Sequence, residues 1–263
     1  MVDTPAKESL LATLDRVLRG TFLKPAQLTR GCIDAPVPRL IWLGLLLGGL
    51  YGIGLGSYSL FGGADQAFLQ VLACACKVPL LFLLTLLVTF PSLYVFAALQ
   101  RLPLDFRSTL RLLLLAILVH LAVLASLAPV FAFFAASTKS YAFMLLLNVA
   151  FFAVGGLLGF MVLRRATHSM FAHAEATLPP FPGDQPEMQG PPSLQIPRSP
   201  RHGEQARRVL RVWCLVYGVV GAQMGWLLRP FLGAPDLAFT LFRPREDNVF
   251  VGVMRAIASL LGR

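Results

Sequence analysis

Apolar residues run in long blocks along this chain, and five blocks reach the length of a membrane span. Leu40–Leu60, Pro79–Leu99, Leu112–Phe134, Tyr141–Leu163 and Val209–Leu228 are almost free of charge. Each holds about the 20 residues a helix needs to cross a hydrocarbon core. An unpaired backbone N–H or C=O is costly in lipid, so each block is predicted to be helical throughout. Pro91 and Pro129 fall inside two of the blocks, where neighbouring helices can absorb a kink.

Between the blocks the pattern turns amphipathic. "DTPAKESLLATLDRVLRG" predicts a helix capped by Thr4, with Pro5 in its first turn and Gly20 as its stop. Leu10, Leu11, Leu14, Val17 and Leu18 share one face of it. Ala64–Lys77 predicts a second, short helix on the membrane surface, ahead of a span opening at Pro79. "NVFVGVMRAIASLLG" predicts a third, with Val249, Phe250, Val253, Met254, Ile257, Leu260 and Leu261 on one side. Leu178–Pro200 carries eight prolines and predicts a linker without a core.

The expected fold is an all-α membrane protein, five transmembrane helices in a compact bundle with flanking amphipathic helices. Residues 1–39 form the N-terminal segment, 40–163 a four-helix region, 164–208 the proline-rich loop, 209–228 the fifth span and 229–263 the tail. Composition agrees: 56% of residues are hydrophobic and only 14% charged, where soluble domains run near a quarter; the mean hydropathy is +0.69.

Charge changes the picture in one respect. A net charge of +10 suits nucleic acid only when it gathers on one soluble face, and here it lies between apolar runs, so no nucleic-acid partner is expected. Sixteen Lys and Arg residues fall in the N-terminal segment and in the alternate loops that share its side, Arg211 included. Lys77 and Lys139 alone fall in the other loops. The bias predicts a cytoplasmic N-terminus. Five spans would leave the tail outside with its five arginines, against the same rule. Residues 1–39 show no apolar core before a cleavage site, so no removable signal peptide is expected.

Gly44, Gly48, Gly52 and Gly56 give three overlapping G-x-x-x-G units in the first block. Such strips let helix backbones approach closely in lipid, and the partner is a helix of this chain or of a second copy. Gly155 with Gly159 repeats the motif in the fourth block. Gly218 with Ala222, and Gly221 with Gly225, do so in the fifth. Three polar side chains interrupt the blocks: His120, Asn148 and Gln223. Intramembrane polar groups are functional candidates, here for a ligand or ion pathway; they also serve as interhelical glue. From the span limits, Asn148 and Gln223 are expected at matching depth and within bonding reach, with His120 in a separate layer. In "GAQMGWLLRPFLGAP", Gln223 is expected to point into the bundle and Trp226 to sit at the interface. Arg229 complements the helix end and Pro230 stops it. Trp226, Arg229 and Asp236 are candidate lipid or partner contacts.

Catalytic chemistry is not indicated. The chain has no G-x-S-x-G, H-E-x-x-H, P-loop or dinucleotide fingerprint, so no catalytic residues and no cofactor are expected. Cys32, Cys74, Cys76 and Cys214 form neither a disulfide framework nor a zinc spacing. His168 and His173 are five apart, off the spacing for chelation on one helix face, so no metal site is expected with Glu175.

"GTFLKPAQL", "FPSLYVFAALQRLPLDFRSTLRLL" and "LAPVFAFFAASTKSYAFMLLLNVAFFAVGGLLG" resemble the Yip-type (Rab-interacting-protein-like) membrane family and its bacterial relatives, over about residues 90–160. The long proline-rich loop departs from that pattern. The resemblance implies a non-enzymatic helical membrane protein working in membrane organisation or trafficking. Nineteen arginines against four lysines fit a high-GC bacterial genome and hence a bacterial inner membrane. The expected function is a structural, scaffold or assembly component, with membrane lipids and membrane proteins or a second copy as partners. The alternatives are a small oligomeric channel or transporter lined by His120, Asn148 and Gln223, and a lipid-binding protein.

Overall fold

Wherever the computed structural model describes the chain (residues 9–23, 36–63, 66–99, 106–176, 201–228 and 249–262), helices dominate and no strand occurs. The helices are α1 (Leu10–Leu18), α2 (Val37–Phe61), α3 (Ala67–Leu99), α4 (Phe106–Ser137), α5 (Tyr141–Ala176), α6 (Arg201–Leu227) and α7 (Val249–Leu260), with a single 3-10 turn at Thr21–Leu23. Four of them contain stretches long and apolar enough to cross a membrane: Val37–Phe61, Ala67–Ser92, Phe106–Ser137 and Tyr141–Ala166. The expected fifth span falls inside α6, whose N-terminal half carries Arg201, Glu204, Arg207, Arg208 and Arg211. That helix is not one of the four.

Local chemistry sets the ends. Ser9, rather than Thr4, caps α1: its Oγ accepts from Ala12 N at 3.2 Å. Thr4 and Pro5 lie outside the described residues. Gly20, at φ +65°, closes the helix as expected. Pro38 sits in the first turn of α2, where a missing N–H costs nothing. Gly63, at φ +72°, turns the chain towards α3. Between α4 and α5 the turn is only Thr138–Ser140, and Ser140 Oγ caps α5 by accepting from Phe143 N at 3.3 Å. Tyr58 on α2 donates to the Lys139 carbonyl at 2.9 Å, tying that turn to the end of α2.

Expectation and structure part over Ala64–Lys77. No separate surface helix forms; α3 runs unbroken from Ala67 through Pro79 and Pro91 to Leu99. Pro79 has no N–H for the Ala75 carbonyl, and that carbonyl faces Gly49, where an added Cβ would meet it at 3.6 Å. The glycine face of α2 thus receives the backbone group that the proline releases. Lys77, expected in a loop, is inside this helix and only 4% exposed.

Packing centres on α2, which lies against both α3 and α4; α5 lies on α4, α6 on α3, and α7 on α5 and α6. One apolar cluster gathers Leu40, Leu43, Leu86, Phe90, Leu112–Leu115, Leu163 and Trp213, with Val17 and Phe22 closing it from α1 and the turn after it. The second cluster, towards the other end of α2, holds Tyr51, Leu55, Leu124, Phe131 and Met144 at 0% exposure. The flanking helices leave much of their apolar faces exposed. Leu11 and Leu18 of α1 are exposed, as are Phe250, Met254, Ile257 and Leu260 of α7 and Leu261 just after it, while Ala256 is the one buried residue of α7 among the described ones.

Candidate functional site

Residues four apart on a helix advance by about 40° around its axis, so a run of glycines at that spacing winds around the helix. The strip of α2 therefore meets two neighbours. Gly44 faces Leu118 and Leu121 of α4 at ordinary contact distance, whereas Gly48, Gly52 and Gly56 face Pro79, Cys74–Ala75 and Val71 of α3. A Cβ at Gly48 would stand 3.0 Å from Pro79 Cβ, and one at Gly56 2.5 Å from Val71 Cα. At Gly52 it would collide with the Cys74 carbonyl. Gly54, outside the four-residue series, sits 3.0 Å by the same measure from Ala128 Cβ of α4.

His120 occupies the matching notch between α4 and α5. A Cβ at Gly155 would lie 2.5 Å from its Cδ2 and 2.9 Å from its Nε2; at Gly159 it would meet the Ala116 carbonyl at 2.9 Å and His120 Cβ at 3.4 Å. The imidazole fills the space left by absent side chains. Its Nε2 is buried without a hydrogen-bond partner among the described residues. Phe82 meets the ring edge-on, centroids 4.8 Å apart, and Phe152 does so at 6.0 Å. Those two phenyl rings stack on each other at 5.8 Å.

Asn148 belongs to the same neighbourhood. Tyr51 of α2, with no exposed surface, donates its hydroxyl hydrogen to Asn148 Oδ1 at 2.9 Å. The Tyr51 ring lies 5.9 Å from Phe152 and 6.4 Å from Phe131. A continuous run of side chains, Asn148–Tyr51–Phe152–His120–Phe82, therefore links α5, α2, α4 and α3 through their middles. It is a polar seam sealed by aromatic rings, with one hydrogen bond of the kind that joins neighbouring helices.

Gln223 is elsewhere. It is exposed on α6 and is not the partner of Asn148, which has found Tyr51 instead. The side of α6 that packs carries Trp213, Tyr217, Gly221 and Leu228, and Gln223 points away from that stripe. Trp213 donates Nε1–H to the Thr89 carbonyl at 3.0 Å, and a Cβ at Gly221 would make ordinary contact with Thr85 at 3.5 Å. Gly218 and Gly225 have nothing within 4 Å among the described residues, so the fifth-block strip is used at Gly221 alone. Arg229 and Asp236 lie outside the described residues, as do the side chains of Trp226, His168, His173 and Glu175.

Sequence reasoning passed over Tyr51 and Lys77. Tyr51 was one aromatic in an apolar block, and only the packing of α5 makes its hydroxyl matter. Lys77 carried a readable signal, because apolar residues flank it on both sides from Ala67 onward. Gln70, Cys74 and Lys77 share a face of α3, all buried, with Gln70 Nε2 donating to Cys74 Sγ at 3.4 Å. Among the described residues no three His, Cys, Asp or Glu side chains gather in a way that could hold a metal ion. No family model matches the chain, and no curated protein or solved structure matches it either.

Proposed function

We propose that the chain is a non-enzymatic integral membrane protein acting as a structural, scaffold or assembly component of a membrane complex. The supporting observation is the filled centre. Where helices α2, α4 and α5 meet, Tyr51, Leu55, Leu124, Phe131 and Met144 are fully buried. The outer surface, in contrast, is apolar: only 11% of the most apolar stretch of α5 is buried. Such a surface suits acyl chains and partner helices. On this reading α6 enters the same bilayer as a fifth element of the bundle, and the Lys and Arg bias puts the N-terminus in the cytoplasm, at a bacterial inner membrane. The Yip-type resemblance of residues 90–160 points the same way, towards membrane organisation.

A pathway lined by His120, Asn148 and Gln223 is less well supported, since the first two are held in the aromatic seam while the third sits on the outside of α6. The test is purification in a mild detergent followed by native mass measurement and, in parallel, reconstitution into proteoliposomes. The scaffold reading expects a retained partner protein or second copy and no solute flux. Flux lost on His120→Ala or Asn148→Ala, from a strictly monomeric protein, overturns it.

A further inference from the structure

The outer face of α3 carries a pattern that the aromatic seam leaves unused. Each residue of a helix is turned from the last by about 100°. Near the end of α3, one arc buries Thr85, Leu86, Thr89 and Phe90. The opposite arc exposes Leu87, Val88, Pro91, Tyr94 and Val95, and Leu80 continues it two turns earlier.

Neighbouring helices set the two borders of that arc. On one side Phe106, the first residue of α4, meets the Phe90 and Tyr94 rings edge-on, with centroids 4.9 and 5.6 Å apart. On the other, Trp213 of α6 bonds to the Thr89 carbonyl, and a Cβ at Gly221 would touch Thr85. The two helices therefore run in opposite directions, and Arg211 lies beyond Thr89 on the way to Tyr94. Arg107 follows Phe106 directly. Both arginines are exposed, one at each border, where the apolar stretch Ala67–Ser92 of α3 comes to its end. Neither makes an ion pair among the described residues. Asp15 of α1, the one carboxylate whose side chain is described, is bonded to Arg19.

We propose that the outer face of α3 holds an anionic phospholipid, its phosphate between Arg107 and Arg211 and its acyl chains along Leu80, Leu87 and Val88. This rests on the membrane reading above and adds to it a class of lipid and a place. Charge complementarity selects the occupant. Two guanidinium groups at the rim of an apolar face match a phosphodiester above hydrocarbon, and each can bond two phosphate oxygens at once. Arginine clusters beside membrane helices recognise anionic headgroups in this way. A zwitterionic lipid brings its own cation and leaves the two arginines without net compensation. Tyr94, exposed at the same level, has the amphipathic ring that favours the headgroup boundary.

The test places the full chain in vesicles of phosphatidylcholine with a minor fraction of phosphatidylglycerol, extracts it in mild detergent and reads the retained lipid by native mass measurement. Phosphatidylglycerol is expected to be retained in preference to phosphatidylcholine. Arg107→Gln and Arg211→Gln should each lower that preference about fivefold, and a double variant with lysine at both positions should keep most of it. Arg164→Gln, on α5, should leave it unchanged. Equal retention of the two lipids overturns the inference. So does an equal loss from Arg164→Gln, which would show a diffuse field in place of a site. Glycerol phosphate, a headgroup without acyl chains, is expected not to displace the lipid, and displacement would overturn the assignment to a lipid. Release of the chain from the vesicles by alkaline carbonate is a separate result, which overturns the membrane reading itself. Should a glutamine variant melt earlier than the parent, the parent's salt dependence decides: the preference is expected to fall as salt rises, and a preference indifferent to salt overturns the inference.

Discussion

The α2 glycines and the α6 glycines look alike in sequence and do opposite things. On α2, Gly48, Gly52 and Gly56 are pressed against the backbone of α3, and Gly54 against Ala128 of α4. On α6, among the described residues, nothing lies within 4 Å of a Cβ at Gly218 or Gly225, and only Gly221 touches a neighbour. The cause is where each strip falls around its helix. On α2 the winding strip lies between two packed helices. On α6 the packing stripe runs through Trp213, Tyr217, Gly221 and Leu228, and Gly218 and Gly225 are rotated off it. A small-residue spacing shows that close approach is available; only the neighbours decide whether it is used.

The comparison can be broken most directly at Gly52. Gly52→Leu is expected to abolish the folded protein and Gly52→Ala to cost about 1–3 kcal/mol or more, because the obstruction is the Cys74–Ala75 backbone, which cannot rotate away. Thermal unfolding in detergent measures it, and an unchanged midpoint for Gly52→Ala would refute the close α2–α3 contact. Next is the imidazole notch. Gly155→Ala should cost roughly 1–3 kcal/mol alone and much less when His120 is also Ala, since the obstruction is then the side chain just removed. A coupling energy of about 0.5–3 kcal/mol in the double-mutant cycle is the expected result, and additivity would disprove the notch. Tyr51→Phe removes only the bond to Asn148 and should cost about 0.6 kcal/mol, at most about 1.7. Gly218→Ala and Gly225→Ala mark the opposite pole: with nothing within 4 Å of an added methyl group among the described residues, each should be neutral or stabilising by up to about 1 kcal/mol. Smallest of all is the Arg19–Asp15 pair on α1, 2.7 Å apart and exposed on both sides. The hydrogen bond to Asp15, and then its charge, raise the Arg19 pKa above its ordinary value. Water screens such a pair, so Asp15→Ala should leave the melting midpoint unchanged.

What could be read ahead of the fold was whatever depends on local pattern. Four of the five apolar blocks lie in helices long enough to cross a membrane, and Gly20 ends α1 as its spacing suggested. The Thr4 cap failed to predict where α1 begins, because Ser9, closer to the apolar face, takes that role. The surface helix at Ala64–Lys77 failed for a similar reason: Pro79 reads as a helix start, yet a proline in lipid is tolerated when a neighbouring glycine face lies beside the carbonyl it frees. The pairing of Asn148 with Gln223 rested on depth alone. Depth fixes a layer and leaves open which way around its axis each helix is turned.

The sequence by itself therefore determined that the described chain is helical and that four of its helices are long and apolar enough to cross a membrane, where a backbone can satisfy itself only as a helix. It also determined where close contact was available, because glycine is small whatever surrounds it. Only the tertiary structure decided which glycines are used, that Tyr51 and not Gln223 bonds to Asn148, and that Lys77 is buried within α3. Those outcomes depend on rotation and register between helices far apart in the chain, set by side-chain packing summed over whole interfaces, which no local stretch contains.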